Sequence, residues 1–196
     1  DKILLHTCCA PCSSAIIECL MQHNITPVIY YCNPNIFPQE EYNIRKDECT
    51  RYAQSLGLEI VDADYDHEAW RCQMQEPERG GRCLRCFKSR LLETARYAHE
   101  HGFPVITTTL ASSRWKSLEQ INEAGRYAMT HYPDVTYWEQ NWRKGGLMND
   151  AGLDHGLGPG RFDGFGQAGQ PVAAHDQDIA YAPLASSAHT WAQKAP

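Results

Sequence analysis

Two Cys-x-x-Cys pairs, Cys9-Ala10-Pro11-Cys12 and Cys83-Leu84-Arg85-Cys86, carry the strongest chemical signal in this sequence, and Cys8 adds a further thiol beside the first pair. Two thiolates three residues apart, at a turn entering a helix, can point at one centre. Helix N-terminal N–H groups and nearby cations then stabilise their charge, and Arg82, Arg85 and Lys88 supply cations around the second pair. A soft, all-thiolate set holds zinc or an iron–sulfur cluster, and spacing alone does not choose between them. A structural zinc usually staples a small knuckle. Here the pairs are far apart in sequence and fall in a chain that can fold on its own core, which favours a functional cluster.

The remaining titratable groups have plainer readings beside the chemical ones. Cys19 and Cys49 fall on the buried faces of their helices and read as small core hydrophobes, Cys72 as incidental, and Cys32 as a packing residue at a strand end. Cys12 is open between a site residue and a bystander. Asp62, Asp64 and Asp66 offer a carboxylic acid or an oxygen ligand, although carboxylates after a strand are more often solvated. His6 reads as a satisfied strand histidine. Arg79, Arg82, Arg85, Lys88, Arg90, Arg114 and Lys116 form either a local basic rim or an ordinary charged surface.

The elements that must position these groups alternate. Ile3–His6, Pro27–Cys32, Leu58–Val61, Val105–Thr109 and Val135–Trp138 read as strands. Helices are expected over about Cys12–His23, Gln39–Leu56 and Cys83–His101, a short one over His67–Met74, and another over Leu118–His131. Gly57 and Gly102 close two of them, and Glu76–Arg82 reads as a polar loop. This alternation predicts an α/β fold: a parallel sheet of about five strands with helices on both faces and right-handed crossovers. Sites in such sheets form outside the carboxyl ends of the strands. The loops after strands one to four, carrying Cys8, Asn33, Asp64 and Ser112-Ser113-Arg114, would therefore share one edge.

Composition bounds the rest. The chain has 196 residues, nine cysteines and a net charge of -6, enough for one domain with a sizeable core. An odd cysteine count in an enzyme-sized chain favours metal or redox chemistry over structural disulfides. No long basic run points to nucleic acid, and no apolar stretch is long enough to span a bilayer, so no membrane partner is expected. The start shows no initiator Met and no basic signal-peptide region. A cytoplasmic location fits these features. Residues 1–147 are expected to form the α/β catalytic domain. From Met148 onwards Gly, Ala, Gln and Pro dominate and periodicity disappears, so 148–196 is expected to be an atypical, disordered tail.

Taken in order, Leu4-Leu5-His6-Thr7-Cys8-Cys9-Ala10-Pro11-Cys12-Ser13, Tyr31-Cys32-Asn33-Pro34-Asn35-Ile36 with Glu40-Glu41-Tyr42, Asp64-Tyr65-Asp66, Arg82-Cys83-Leu84-Arg85-Cys86-Phe87 and Thr107-Thr108-Thr109-Leu110 resemble the QueH family of epoxyqueuosine reductases. The likeness covers about Lys2 to Gly146. It implies an adenine-nucleotide α-hydrolase-like (HUP-like) fold, with the cysteine loop standing where relatives carry a glycine-rich phosphate loop. It also implies the last step of queuosine biosynthesis, reduction of epoxyqueuosine to queuosine at the wobble position of tRNA, with an external electron donor. Carried onto this chain, the ligands of a [4Fe-4S] cluster are Cys8, Cys9, Cys83 and Cys86, and an additional iron is implied for which Asp64 is a candidate. The family continues into a Tyr-Cys-Gly-Cys segment whose cysteines are thought to form a redox-active disulfide, whereas this sequence has no cysteine after Cys86. Two rival readings are a non-catalytic zinc-binding module on Cys9, Cys12, Cys83 and Cys86, and a thioredoxin-like disulfide oxidoreductase built on Cys9-Ala10-Pro11-Cys12.

Overall fold

A computed structural model describes residues 2–75 and 79–143, with the backbone alone at Arg79. Its elements run β1 (Ile3–Thr7), α1 (Ala10–Gln22), β2 (Pro27–Tyr31), α2 (Gln39–Ser55), β3 (Ile60–Asp62), α3 (His67–Gln73), α4 (Arg79–His101), β4 (Val105–Thr108), α5 (Leu118–His131) and β5 (Thr136–Tyr137), with a 3-10 turn at Thr109–Ser112. The expected tail from residue 148 lies outside the described residues.

The strands form one five-stranded sheet in the order β3-β2-β1-β4-β5, and every pairing is parallel. In the central register Leu5 stands between Ile29 on β2 and Thr107 on β4. This is the doubly wound α/β arrangement that the strand–helix alternation predicts, and its order reverses between β1 and β4. With right-handed crossovers, α1 and α2 cover one face and α4 and α5 the other, in keeping with the contacts of α1 with α2 and of α4 with α5. The central strand is buried along its whole length, which is why it reads as a continuous apolar run rather than an alternating one. Around it Ile16, Leu20, Ile29, Leu91, Ile106 and Leu110 make the core.

Three helices end in the same way, and the ending fixes where the next strand begins. At α2, Gly57 takes φ +70 and donates to the Gln54 carbonyl, while Leu58 N–H returns to Ala53 O at 2.9 Å. Gly102 (φ +72) with Phe103 does the same at α4, and Asn24 (φ 60) with Ile25 at α1. These paired 6→1 and 5→2 bonds satisfy carbonyls that the helix end would orphan. Leu58 is thereby committed to closing α2, so β3 starts at Ile60, two residues later than hydrophobicity predicts. A second difference lies at α4, which starts at Arg79 rather than Cys83. The glycines there are poor helix formers, but Gln120 Nε2 donates to the Gly80 carbonyl at 3.2 Å and ties this first turn to the start of α5.

One close approach on the α4/α5 face makes a testable point. A Cβ built on Gly125 of α5 would lie 2.2 Å from the Tyr137 ring, so the helix meets β5 only because the residue is glycine. Gly125→Ala is expected to destabilise the chain by about 1–3 kcal/mol, the usual cost of overpacking a core. The check is urea denaturation, read as a lower midpoint at unchanged slope.

Candidate active site

The carboxyl ends of β1, β2 and β4 hold the site. The turn after β1 carries Cys8, whose N–H donates to Thr109 Oγ1 (3.2 Å), and the Thr109 hydroxyl approaches Cys8 Sγ at 3.5 Å. Cys9 is the N-cap of α1, in extended backbone and without a side-chain cap bond, and Ser13 Oγ donates to its carbonyl. Cys12 stands in the first turn, after Pro11 has preset the backbone there. The result is convergence. The sulfurs of Cys8, Cys9 and Cys12 all lie within 4.8 Å of one another, with Cys8 and Cys9 at 3.8 Å.

Three thiols so close cannot all ionise. Hydrogen bonds from Cys12 and Cys9 hold Cys8 well below the ordinary thiol range against the cost of burial, with Lys116 and Thr109 adding to the effect. Cys9 gains something from Cys12, but its hydrogen bond to Cys8, burial and the Cys8 charge push it well above. Cys12 is pushed up by its hydrogen bonds to Cys8 and Cys9 and then by burial. The three hydrogen-bonded thiols thus favour the charged form at Cys8, near the N-terminus of α1, and the protonated form at Cys9 and Cys12. A bound metal would displace the other protons.

A buried polar network holds this edge together. His6 on β1 is wholly buried, with Nε2 at 3.0 Å from the Cys32 carbonyl and Nδ1 at 2.8 Å from Thr108 Oγ1. Nε2 must donate to the carbonyl, so Nδ1 accepts from the Thr108 hydroxyl. Burial, with the Arg90 charge, lowers its pKa to about 3, so the ring is neutral and bridges β1, β2 and β4. Arg90 of α4 donates through Nε to the Cys32 carbonyl (3.2 Å) and through Nη2 to Asn33 Oδ1, and Asn33 Nδ2 donates to the Thr7 carbonyl at 2.9 Å. The chain of contacts runs from α4 to the residue immediately before Cys8.

That clamp bears directly on the second Cys-x-x-Cys pair. Cys83, Cys86 and Arg90 are spaced three and four apart, so they share one stripe of α4. Arg90 is only 3% exposed, Cys86 is buried and Cys83 half-buried, so the stripe faces inward. At 1.5 Å rise per residue, Cys86 lies about 6 Å and Cys83 about 10 Å along the axis from Arg90, towards the helix start. The connection from β3 enters α4 at the carboxyl edge, so both cysteines stand at the edge that carries Cys8 and Cys9. The structure does not draw them into the trio itself: among the described residues the metal-competent group is Cys8, Cys9 and Cys12.

Other expected residues sort clearly. Cys19 and Cys32 are buried, and burial pushes both thiols up to about 12; Cys49 is raised by burial as well. Cys72 is exposed. Asp66 caps α3 by accepting from Ala69 N at 2.9 Å, a structural task. Asp64 is exposed and belongs to no metal-competent group among the described residues. The basic rim is corrected at Arg90, which is buried in the clamp, and at Lys88, which pairs with Glu123 of α5 at 2.8 Å. Arg82 and Arg114 are exposed, and Lys116 is half-buried. The sequence places Asn33 at this edge and Thr109 in a motif, but shows neither their contacts with Arg90, Thr7 and Cys8 nor the bonds of Arg143 to the Ser113 and Lys116 carbonyls. Asn33 sits in a turn signal, and nothing in residue type separates its clamp role from a turn role.

The donor set suits a thiolate-bound metal group. Three sulfurs converge, and the Tyr31 hydroxyl and Asn35 Oδ1 at the end of β2 are buried without a hydrogen-bond partner, leaving polar capacity at this edge. Fold and site thus define a doubly wound α/β protein with a thiol-lined carboxyl edge. Comparison with known proteins narrows the class. The family described as "Epoxyqueuosine reductase QueH" matches residues 3–153. The protein of that name from Histophilus somni is 50% identical over 150 residues, covering 74% of this chain and 62% of that protein. Its namesake from Haemophilus influenzae is 49% identical, with 74% and 61% covered, and that from Thermotoga maritima is 30% identical over 155 residues, with 76% and 78% covered. The chain belongs to the QueH family. It spans less than two thirds of the length of the first two relatives. A solved structure described as a predicted subunit of tRNA methyltransferase from Methanocaldococcus jannaschii is 14% identical and covers 69% of this chain and 66% of that one, at a TM-score of 0.44. The fold assignment rests on the strand order and not on that likeness. Among the described residues no helix is long and apolar enough to cross a membrane.

Proposed function

We propose that this chain reduces epoxyqueuosine to queuosine at the wobble position of tRNA, with a [4Fe-4S] cluster held by Cys8, Cys9, Cys83 and Cys86 and electrons from an external donor. The carrying observation is the convergence of thiols at the carboxyl edge of a chain that matches this family over residues 3–153. The reaction takes the epoxide, two electrons and two protons to an alkene and water. The cluster, when bound, supplies electrons one at a time.

The chain's own residues do the positioning. Thr109 fixes the Cys8 backbone, Ser13 fixes that of Cys9, and the Arg90–Asn33–Thr7 clamp sets α4 against the end of β1. His6 stays neutral and fills hydrogen bonds that would otherwise be lost at the strand ends. The substrate base sits in a single-stranded loop, so it can be presented to this edge unpaired. Asp64, exposed on the loop after β3, is the proposed oxygen ligand for an additional iron.

The test is anaerobic incubation of the iron-loaded chain with tRNA carrying epoxyqueuosine and a one-electron reductant, followed by nucleoside analysis. Queuosine is expected in place of the epoxide. An unchanged epoxide with a fully loaded chain would contradict the reading.

One observation favours a second reading. A tetrahedral centre with metal–sulfur bonds of about 2.3 Å has sulfurs about 3.8 Å apart, the separation of Cys8 and Cys9. A cube of iron and sulfide needs its thiolates farther apart. A single ion on Cys8, Cys9 and Cys12 would bind without acid-labile sulfide and, if zinc, without visible colour.

A further inference from the structure

We infer that Trp115 is a stacking platform for a base of single-stranded RNA beside the thiol site, with the exposed Arg82 and Arg114 contacting flanking phosphates. This rests on the tRNA reading above and adds to it the residues that would hold the strand.

Trp115 is 68% exposed, the most exposed of the large apolar side chains described. Its loop is not slack. Arg143 reaches across it and donates through Nη2 to the Ser113 carbonyl (2.8 Å) and the Lys116 carbonyl (2.6 Å). Trp115 N–H meets Ser113 Oγ at 3.3 Å, and Ser117 caps α5 by accepting from Gln120 N. A rigid loop is thus built around an indole held out in water, where it contributes little to folding. Such an arrangement suits a partner with a flat face.

Place and charge decide which partner. The loop follows directly on the 3-10 turn whose Thr109 contacts Cys8. Ser113-Arg114-Trp115-Lys116-Ser117 contains two cations and no acid in a chain whose net charge is -6. The bond from Gln120 to the Gly80 carbonyl brings the first turns of α4, with Arg82, beside the start of α5. An aromatic face flanked by cations is the way proteins hold unpaired nucleotides, because every base offers a π-face and every linkage a phosphate.

The experiment measures binding of a labelled anticodon stem-loop RNA and of a blunt duplex of the same stem by the full chain. Trp115→Ala is expected to weaken stem-loop binding about 5- to 150-fold, the range of base–aromatic stacking, while duplex binding is unchanged. Trp115→Tyr keeps a stacking face and should remain within about threefold of the parent. Arg114→Gln should lower the slope of log K against log salt by about 0.7–1. Thermal melting controls for folding, which substitution of so exposed a side chain should not disturb. If Trp115→Ala binds the stem-loop like the parent, the platform is wrong while the tRNA reading stands. If the parent itself does not prefer the stem-loop to the duplex, both fall. If RNA binding is unchanged but association with a protein electron donor is lost, the loop is a protein-docking face and the inference is overturned.

Discussion

The Cys86→Ser protein, purified without air, is expected to lose the iron, sulfide and brown absorbance of the parent, and its turnover of epoxyqueuosine to fall by at least about 100-fold. The magnitude follows from comparison with gentler changes: loss of a partner behind a metal ligand already costs about 10–100-fold in affinity or activity, and Cys86 is proposed as a ligand itself. A serine hydroxyl is also a harder donor than a thiolate and gives up its proton far less readily, so it suits an iron–sulfur centre poorly. Cys86 is buried on the inward stripe of α4 and substitution by serine is nearly isosteric, so the apo fold should melt within a few degrees of the parent. Retained colour and turnover would remove Cys86 from the ligand set.

The second large effect is on stability. Arg90→Met should destabilise the chain by about 2–4 kcal/mol, because it removes charge-assisted hydrogen bonds and leaves Asn33 Oδ1 buried without a donor. The Cys32 carbonyl keeps its bond from His6 Nε2, so the loss is smaller than the number of contacts suggests. Arg90→Lys keeps the charge but cannot reproduce the forked geometry that spans Cys32 and Asn33, and should recover only part of the loss. Denaturation of the apo protein gives the stability term. Iron binding should weaken in both variants, since α4 loses its fixed distance from the turn after β1. Parent-like stability in Arg90→Met would show that the clamp is incidental.

Much of this architecture is legible in the residues. β1 announces itself as an unbroken apolar run because it is covered on both faces, and β4 as a β-branched run ending where Thr108 caps the next turn. The two Cys-x-x-Cys pairs and their strand–turn–helix setting place the site at the carboxyl edge without any knowledge of contacts. What stays hidden has a common physical cause: the deciding partner is distant in sequence. Arg90 reads as a surface cation because nothing near it shows that Cys32 and Asn33 will accept its hydrogen bonds. Leu58 reads as strand, although its N–H is taken by Ala53 to close α2. The first turn of α4 reads as a glycine loop, since its tie comes from Gln120 on another helix. Cys12 reads equally as bystander or site residue, and the fold brings its sulfur to Cys8 and Cys9.

That last position focuses the central claim, a ligand set that spans the turn after β1 and the start of α4. The direct test is iron and acid-labile sulfide counting, with visible absorbance, on anaerobically reconstituted parent, Cys12→Ser and Cys83→Ser proteins. The account predicts about four irons and four sulfides in the parent and in Cys12→Ser, with the cluster lost in Cys83→Ser. A Cys83→Ser protein that keeps its full metal content while Cys12→Ser loses it would contradict the account and place the metal on Cys8, Cys9 and Cys12.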